Sequence, residues 1–395
     1  MLLRPYKAAS PKSFLTPDMG LKVGRLLRSV SVQKKNSYCG LYTKSFLLLC
    51  LQRIPSYGAD SSRVVRRRCK KRRFSFLPSP FGLRVLTART LAAMKAPLDS
   101  YFDAFLSPFS LAERYAQLAP SLHRTPVLHS TSLDTWAGAE VHFKCENFQK
   151  SGAFKMRGVT NALLELAAQG LPAGGVCTHS SGNHGQALAW ASAALGIPCT
   201  VVMPSNAPQF KKDAVRTAGG RIVECTPTLA ARIEAVAEAV ASTGAVEIHP
   251  SNQAPVILGQ GSAAWELLED CAARGIALDW VGVPVGGGGL LAGTGFAVAR
   301  WNELHGTSVR VFAGEPTGAD DAARSLASGQ IEHNANPETV CDGMRTELGD
   351  VNFPVIQATV AAIHTVEDSE ILTAQRLIAD RLKIIVETNC APPLA

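Results

Sequence analysis

Between Val141 and Ala313 the chain alternates short apolar, β-branched runs with longer stretches whose apolar positions recur at helical spacing. Val141–Cys145, Val176–Thr178, Cys199–Met203, Arg221–Cys225, Ala245–Ile248, Trp280–Val285 and Val309–Ala313 read as strands. Lys155–Ala168, Asn183–Leu195, Gln209–Ala218 and Thr228–Ser242 read as helices. Each ends at a glycine, Gly170, Gly196, Gly219 and Gly244 in turn, where a helix C-terminus needs a left-handed residue. Strand–helix alternation implies right-handed crossovers and a mostly parallel sheet covered on both faces, so the body is α/β.

Charge divides the chain. The net charge is +8, yet residues 1–93 hold 20 Lys and Arg against Asp18 and Asp60 alone, and the remainder holds 20 basic against 30 acidic residues. The basic balance belongs to one end, so the body is not expected to bind nucleic acid by bulk electrostatics. Residues 1–93, with the run Arg66–Arg73, have the composition of an organellar transit peptide or a disordered tail, and are left out of the fold. That choice makes the compartment plastid or mitochondrion if the extension is a transit peptide, and cytoplasm otherwise. No apolar run reaches the roughly 18 residues of a membrane span. The ten cysteines form no CxxC pair, and several sit in apolar strands, which fits a reducing compartment.

Four segments carry candidate chemistry. In Phe148–Gly158 a Ser-Gly turn leads to Lys155 between apolar Phe154 and Met156; an apolar setting eases loss of the ammonium proton, and a neutral amine can form an imine with an aldehyde. Thr178–Gln186 is a polar loop at the carboxyl end of a strand, where ligand crevices form, although its Ser and Asn also suit an ordinary helix N-cap. In Pro284–Gly293 a strand ends in four glycines at a helix start; bare backbone N–H groups and the helix dipole suit one phosphate monoester. The loop lacks the dinucleotide and NTP fingerprints. Gly314–Asp321 offers a Glu and two Asp on a turn, which suit a hard divalent cation or simply cap the next helix.

Together, in this order, the four segments resemble the fold-type II pyridoxal-phosphate enzymes, within them the serine racemase and serine/threonine dehydratase family, over residues 98–387. Ala153–Gly158 resembles the family's S-F-K-x-R-G element, with Ala153 where Ser is common. The resemblance implies a two-domain architecture like the tryptophan synthase β chain, with parallel-rich sheets flanked by helices. The large domain is then 94–174 with 253–395, and the small domain 175–252. It implies pyridoxal phosphate as cofactor, covalently held by Lys155, with Phe154 behind its ring, Asn183 on its 3-hydroxyl, and Gly286, Gly287, Gly288, Gly289 and Leu290 on its phosphate. It implies that Ser181 faces Lys155 across the cofactor. It likewise implies that Glu315, Asp321 and the Ala319 carbonyl hold Mg2+, or Ca2+ or Mn2+. A nucleotide effector is implied near Lys150, Ser151 and Gln186, with Ala218 where an aromatic residue would stack on adenine. The implied assembly is a homodimer.

The implied activity is racemisation of serine with dehydration of L-serine, and of D-serine and L-threonine as further substrates, through an external aldimine and deprotonation at Cα. The alternatives are a threonine/serine ammonia-lyase with little racemisation, and a catalytically impaired chain acting as a partner subunit. The match breaks near Thr388. Glu387 is not followed by Pro, and the family's Ser/Cys-Gly-Gly-Asn strand end is not in the sequence. The expectation is therefore a ring nitrogen without its usual partner and an exposed sheet edge.

Overall fold

The computed structural model describes residues 47–52, 100–180 and 182–395. In chain order it contains β1 (Leu47–Gln52), α1 (Ser100–Asp103), α2 (Pro108–Leu118), β2 (Val127–His129), α3 (Thr131–Ala137), β3 (Glu140–Cys145) and α4 (Lys155–Gln169). Next come β4 (Val176–His179), α5 (Asn183–Ala194), β5 (Cys199–Pro204), α6 (Gln209–Thr217), β6 (Arg221–Cys225), α7 (Leu229–Thr243) and β7 (Val246–Glu247). The chain closes with α8 (Ala254–Ala273), β8 (Trp280–Pro284), α9 (Gly289–His305), β9 (Arg310–Pro316), α10 (Asp321–Ser328), α11 (Phe353–Thr359), β10 (Val360–Val366) and α12 (Asp368–Leu382). The strands and helices expected from periodicity all form, with ends shifted by a few residues. Among the described residues no helix is long and apolar enough to cross a membrane.

Two sheets organise the molecule. The smaller has order β6-β5-β4-β7 and is wholly parallel. Its strands all fall between Val176 and Glu247. The larger has order β10-β9-β8-β1-β3-β2 and is mixed: β8, β9 and β10 run parallel, whereas β1 is antiparallel to both β8 and β3, and β2 to β3. Over both sheets five of eight pairings are parallel, because the helical crossovers that force parallel pairing are confined to part of the chain.

One expectation changes here. Residues 1–93 were left out of the fold, yet Leu47–Gln52 lie inside the larger sheet, Leu47 opposite Cys145 and Leu51 opposite Trp280. The rest of that extension, including the Arg66–Arg73 run, lies outside the described residues. Among the described residues β1 pairs with both β3 and β8, and the outer strands of the larger sheet are β10 and β2.

Three helices set the frame of the site, and glycines bring them to backbone contact. A Cβ on Gly158 of α4 would lie 2.6 Å from Val256 O of α8, and one on Gly259 of α8 would lie 2.6 Å from Arg157 O. A Cβ on Gly293 of α9 would lie 2.2 Å from Ile257 O. Helices α4 and α9 thus both rest directly on α8. A buried ion network fastens the first turn of α4. Arg157, fully buried, bonds Glu146 through Nε and Nη2 at 2.7 and 2.8 Å, and Glu266 of α8 through Nη1 and Nη2 at 2.8 Å each. Lys144 of β3 adds a 2.9 Å contact to Glu266.

Candidate active site

Lys155 opens α4, and the packing just described fixes where its side chain emerges. It is half-buried, and Nζ donates to the carbonyl of Pro250 at 2.6 Å. The Phe154 ring, 4% exposed, lies 5.1 Å from Nζ. Burial pulls the ammonium pKa down to about 8, since a charged group loses hydration there. The expected ease of deprotonation is therefore present.

Asn183 begins α5 at the carboxyl end of β4, as the sequence placed it. Its Nδ2 donates to Glu387 Oε2 at 3.3 Å, while its buried Oδ1 has no hydrogen-bond partner among the described residues. Ser181 lies outside the described residues. His184 is buried and donates Nε2–H to Ile248 O at 2.9 Å; burial and Lys155 hold its pKa well below the usual value.

Gly286, Gly287 and Gly288 join β8 to α9, and Gly289 and Leu290 form the first turn of that helix. The fit is too tight for side chains: a Cβ on Gly286 would meet Met344 Cα at 2.8 Å, and one on Gly287 would meet Ser251 Oγ at 2.6 Å. Gly288 has φ +76° and would place a Cβ 2.6 Å from Leu348 Cδ2. The loop is a backbone-lined cradle at the start of a 17-residue helix, whose first N–H groups have no intrahelical acceptor. Asn352 braces it, donating to Gly287 O at 2.9 Å.

Glu315 and Asp321 are both fully buried. Glu315 accepts the N–H groups of Ala322 and Ala323 at 3.0 and 2.8 Å; Asp321 accepts Asn334 Nδ2 at 2.7 Å and Leu348 N at 3.2 Å. Burial pushes the Glu315 carboxyl up to about 8 and Asp321 to about 6, with Asp321 adding repulsion at Glu315. Ala319, also buried, lies on the turn between them. No group of three His, Cys, Asp or Glu side chains placed to hold a metal occurs among the described residues.

The effector residues do not all converge. Lys150 lines a cavity of about 590 Å³ with Met156, Trp190 and Ala218. Ser151 and Gln186 do not line it, and Ser151 is turned inward toward Ala153 O at 3.5 Å.

Known proteins resemble this chain in sequence and fold. The family described as "Pyridoxal-phosphate dependent enzyme" matches residues 118–395. The chain belongs to this family. It is 44% identical over 281 residues to the β-hydroxyaspartate dehydratase of Paracoccus denitrificans, covering 71% of this chain and 86% of the relative. It is 42% identical over 302 residues to a serine racemase of Arabidopsis thaliana, covering 76% and 88%. The solved structure of maize serine racemase superimposes with a TM-score of 0.67 at 40% identity, covering 73% of this chain and 85% of that one. The fold is thus that of the fold-type II pyridoxal-phosphate enzymes, and the chain is an enzyme of that kind.

Sequence reasoning did not single out Pro250, Ser251, Asn252, Gln260 or Asn352. Pro250 contributes a carbonyl, which every residue has, so no residue-type signal marked it. Arg157 was quoted only as part of a motif; its two carboxylate partners come from 11 and 109 positions away.

Proposed function

We propose that this chain acts on L-serine, interconverting it with D-serine and dehydrating it to pyruvate and ammonia, with L-threonine as a further dehydration substrate. The carrying observation is Lys155: a half-buried amine with a weakened ammonium, held over the Phe154 ring by one carbonyl, in a chain of this family.

The residues present fit pyridoxal phosphate. The orphaned Asn183 Oδ1 suits its ring hydroxyl, and the side-chain-free cradle Gly286–Leu290 suits its phosphate. Lys155 would hold its aldehyde carbon, with Phe154 against the ring. When bound there, the cofactor supplies an electron sink that acidifies the Cα–H of an amino acid. Lys155 Nζ then takes the Cα proton on one face. Ser181 is assigned to return a proton on the other face, which inverts the centre. Departure of the β-hydroxyl as water instead leads to pyruvate and ammonia.

Glu315, Asp321 and the Ala319 carbonyl would hold Mg2+, Ca2+ or Mn2+. Two buried carboxyl groups and a neighbouring carbonyl are a hard-oxygen donor set. A homodimer is proposed as the assembly, and the cavity lined by Lys150 as the effector site. A second reading, elimination with little racemisation, is favoured by the relative named a dehydratase.

The test is to incubate the holoenzyme with L-serine and assay D-serine by chiral chromatography and pyruvate enzymatically. Both products are expected, and Lys155→Ala abolishes both. Pyruvate without D-serine supports the second reading. Persistence of both products in the variant overturns the assignment of Lys155.

A further inference from the structure

The lysine and the glycine cradle come from distant parts of the chain, yet one short segment touches both. Residues 248–252 run from the end of β7 to α8. His184 donates to Ile248 O, and Lys155 Nζ to Pro250 O, which also accepts Gln260 Nε2 at 3.4 Å. At the other end, Ser251 O accepts Asn352 Nδ2 at 3.3 Å, from the same amide that donates to Gly287 O. Asn252 Oδ1 accepts the N–H groups of Val351 and Asn352 at 3.0 and 3.3 Å. Ser251 also packs under the cradle, its Oγ 2.6 Å from where a Gly287 Cβ would stand and its carbonyl 2.8 Å from where a Gly289 Cβ would stand.

The pairing of β7 ends at Glu247, so residues 249–252 have no strand partner. One ring closes their turn. His249 Nδ1 accepts the N–H of Ser251 at 3.2 Å and of Asn252 at 2.8 Å, and the His249 N–H donates to Gln253 Oε1 at 3.0 Å. This is the bonding that an Asn or Asp side chain supplies in an Asx turn, carried out here by an imidazole. Two donors on Nδ1 require its lone pair, so the ring proton sits on Nε2. Burial, with His179 and Lys155 nearby, pushes the pKa of this ring down to about 4, which keeps that lone pair available at neutral pH.

We infer that His249 is a positioning residue: by capping the N–H groups of Ser251 and Asn252 it holds the Pro250 carbonyl on Lys155 and Ser251 beneath the glycine cradle, and so sets the lysine relative to the cofactor phosphate. The inference rests on the reading of Lys155 as the cofactor lysine. It assigns His249 no contact with substrate and no proton transfer.

The experiment measures the dissociation constant of pyridoxal phosphate by equilibrium dialysis on the full chain, wild type against His249→Ala and His249→Asn, at a temperature where circular dichroism shows each folded. Borohydride trapping followed by peptide mapping reports how much cofactor is on Lys155. His249→Ala is expected to bind about tenfold more weakly or worse, because two N–H groups lose their acceptor, with less label on Lys155. His249→Asn is expected within about twofold of wild type, since its Oδ1 reaches the same two N–H groups. If His249→Ala does not fold, His249→Gln takes its place, its longer chain carrying the amide past the turn. Binding unchanged in His249→Ala or His249→Gln overturns the inference, as does equal loss in His249→Asn. A wild-type chain that takes up no cofactor on Lys155 overturns the Lys155 reading itself, and this one with it.

Discussion

Arg157→Met removes the cation that Glu146 and Glu266 share. Arg157 is 0% exposed and makes four charge-assisted bonds of 2.7 to 2.8 Å to the two carboxylates, plus one of 3.2 Å to Ser262 Oγ. The two acids are not left equal. Glu266 keeps Lys144 at 2.9 Å, whereas Glu146, 1% exposed, keeps the Thr125 hydroxyl at 2.6 Å. Stripping one partner from a buried ion pair costs about 3–5 kcal/mol, chiefly for the charge left behind. A domain's whole stability is about 5–15 kcal/mol. Urea unfolding followed by circular dichroism should show a fall of that size in the extrapolated free energy. Adding Glu146→Gln removes the stranded carboxylate, so the double variant should recover about 1–3 kcal/mol relative to Arg157→Met alone. A loss under about 1 kcal/mol, or strict additivity of the two substitutions, would refute the view that this network anchors the first turn of α4. Because Lys155 sits in that turn, cofactor affinity should fall together with stability.

Three further outcomes are expected. Gly293→Ala puts a Cβ 2.2 Å from the Ile257 carbonyl, backbone that cannot swing aside; α8 and α9 must separate, and a loss of about 1–3 kcal/mol in denaturant titration is expected, against a neutral result if the contact is slack. With its ammonium pKa near 8, Lys155 should capture pyridoxal phosphate at a rate that climbs up to about pH 8 and then levels; a stopped-flow rate still climbing steeply through about pH 10, the ordinary lysine range, contradicts the burial argument. Glu315 is raised from 4.5 to about 8, so between those values the folded state binds more protons than the unfolded one, and stability falls as pH rises through that window. Glu315→Gln should flatten that slope, and millimolar Mg2+ should raise the melting temperature of the wild type but not of the variant at pH 8; a Mg2+ response undiminished by the substitution removes the proposed cation site.

Local pattern made much of the architecture legible. Strands β3 to β9 announced themselves as short β-branched runs, and the helices between them by 3.6-residue spacing with glycine stops at Gly170 and Gly244. The four glycines after β8 were readable as a cradle because a loop without side chains between two regular elements has few other uses. Leu47–Gln52 was not readable as part of the sheet. It is a short apolar run inside a basic segment, and pairing with β3 and β8 is decided by partners some 90 and more than 200 residues away. The mixed character of the larger sheet escaped for the same reason.

By itself, the sequence determined which residue types stand at the ends of strands: a lysine in apolar company, an asparagine opening a helix, a glycine run, a glutamate with aspartates behind it. These follow from local geometry and chemistry, which a linear pattern encodes. Only the tertiary structure decided what surrounds them: that Pro250 O meets Lys155, that Asn183 Oδ1 is left without a partner, that Arg157 holds two distant glutamates, and that His249 caps a turn beneath the cradle. Desolvation and hydrogen bonding depend on neighbours remote in sequence. The lowered ammonium of Lys155 and the raised carboxyl of Glu315 are therefore properties of the packed chain, and the residue types alone do not contain them.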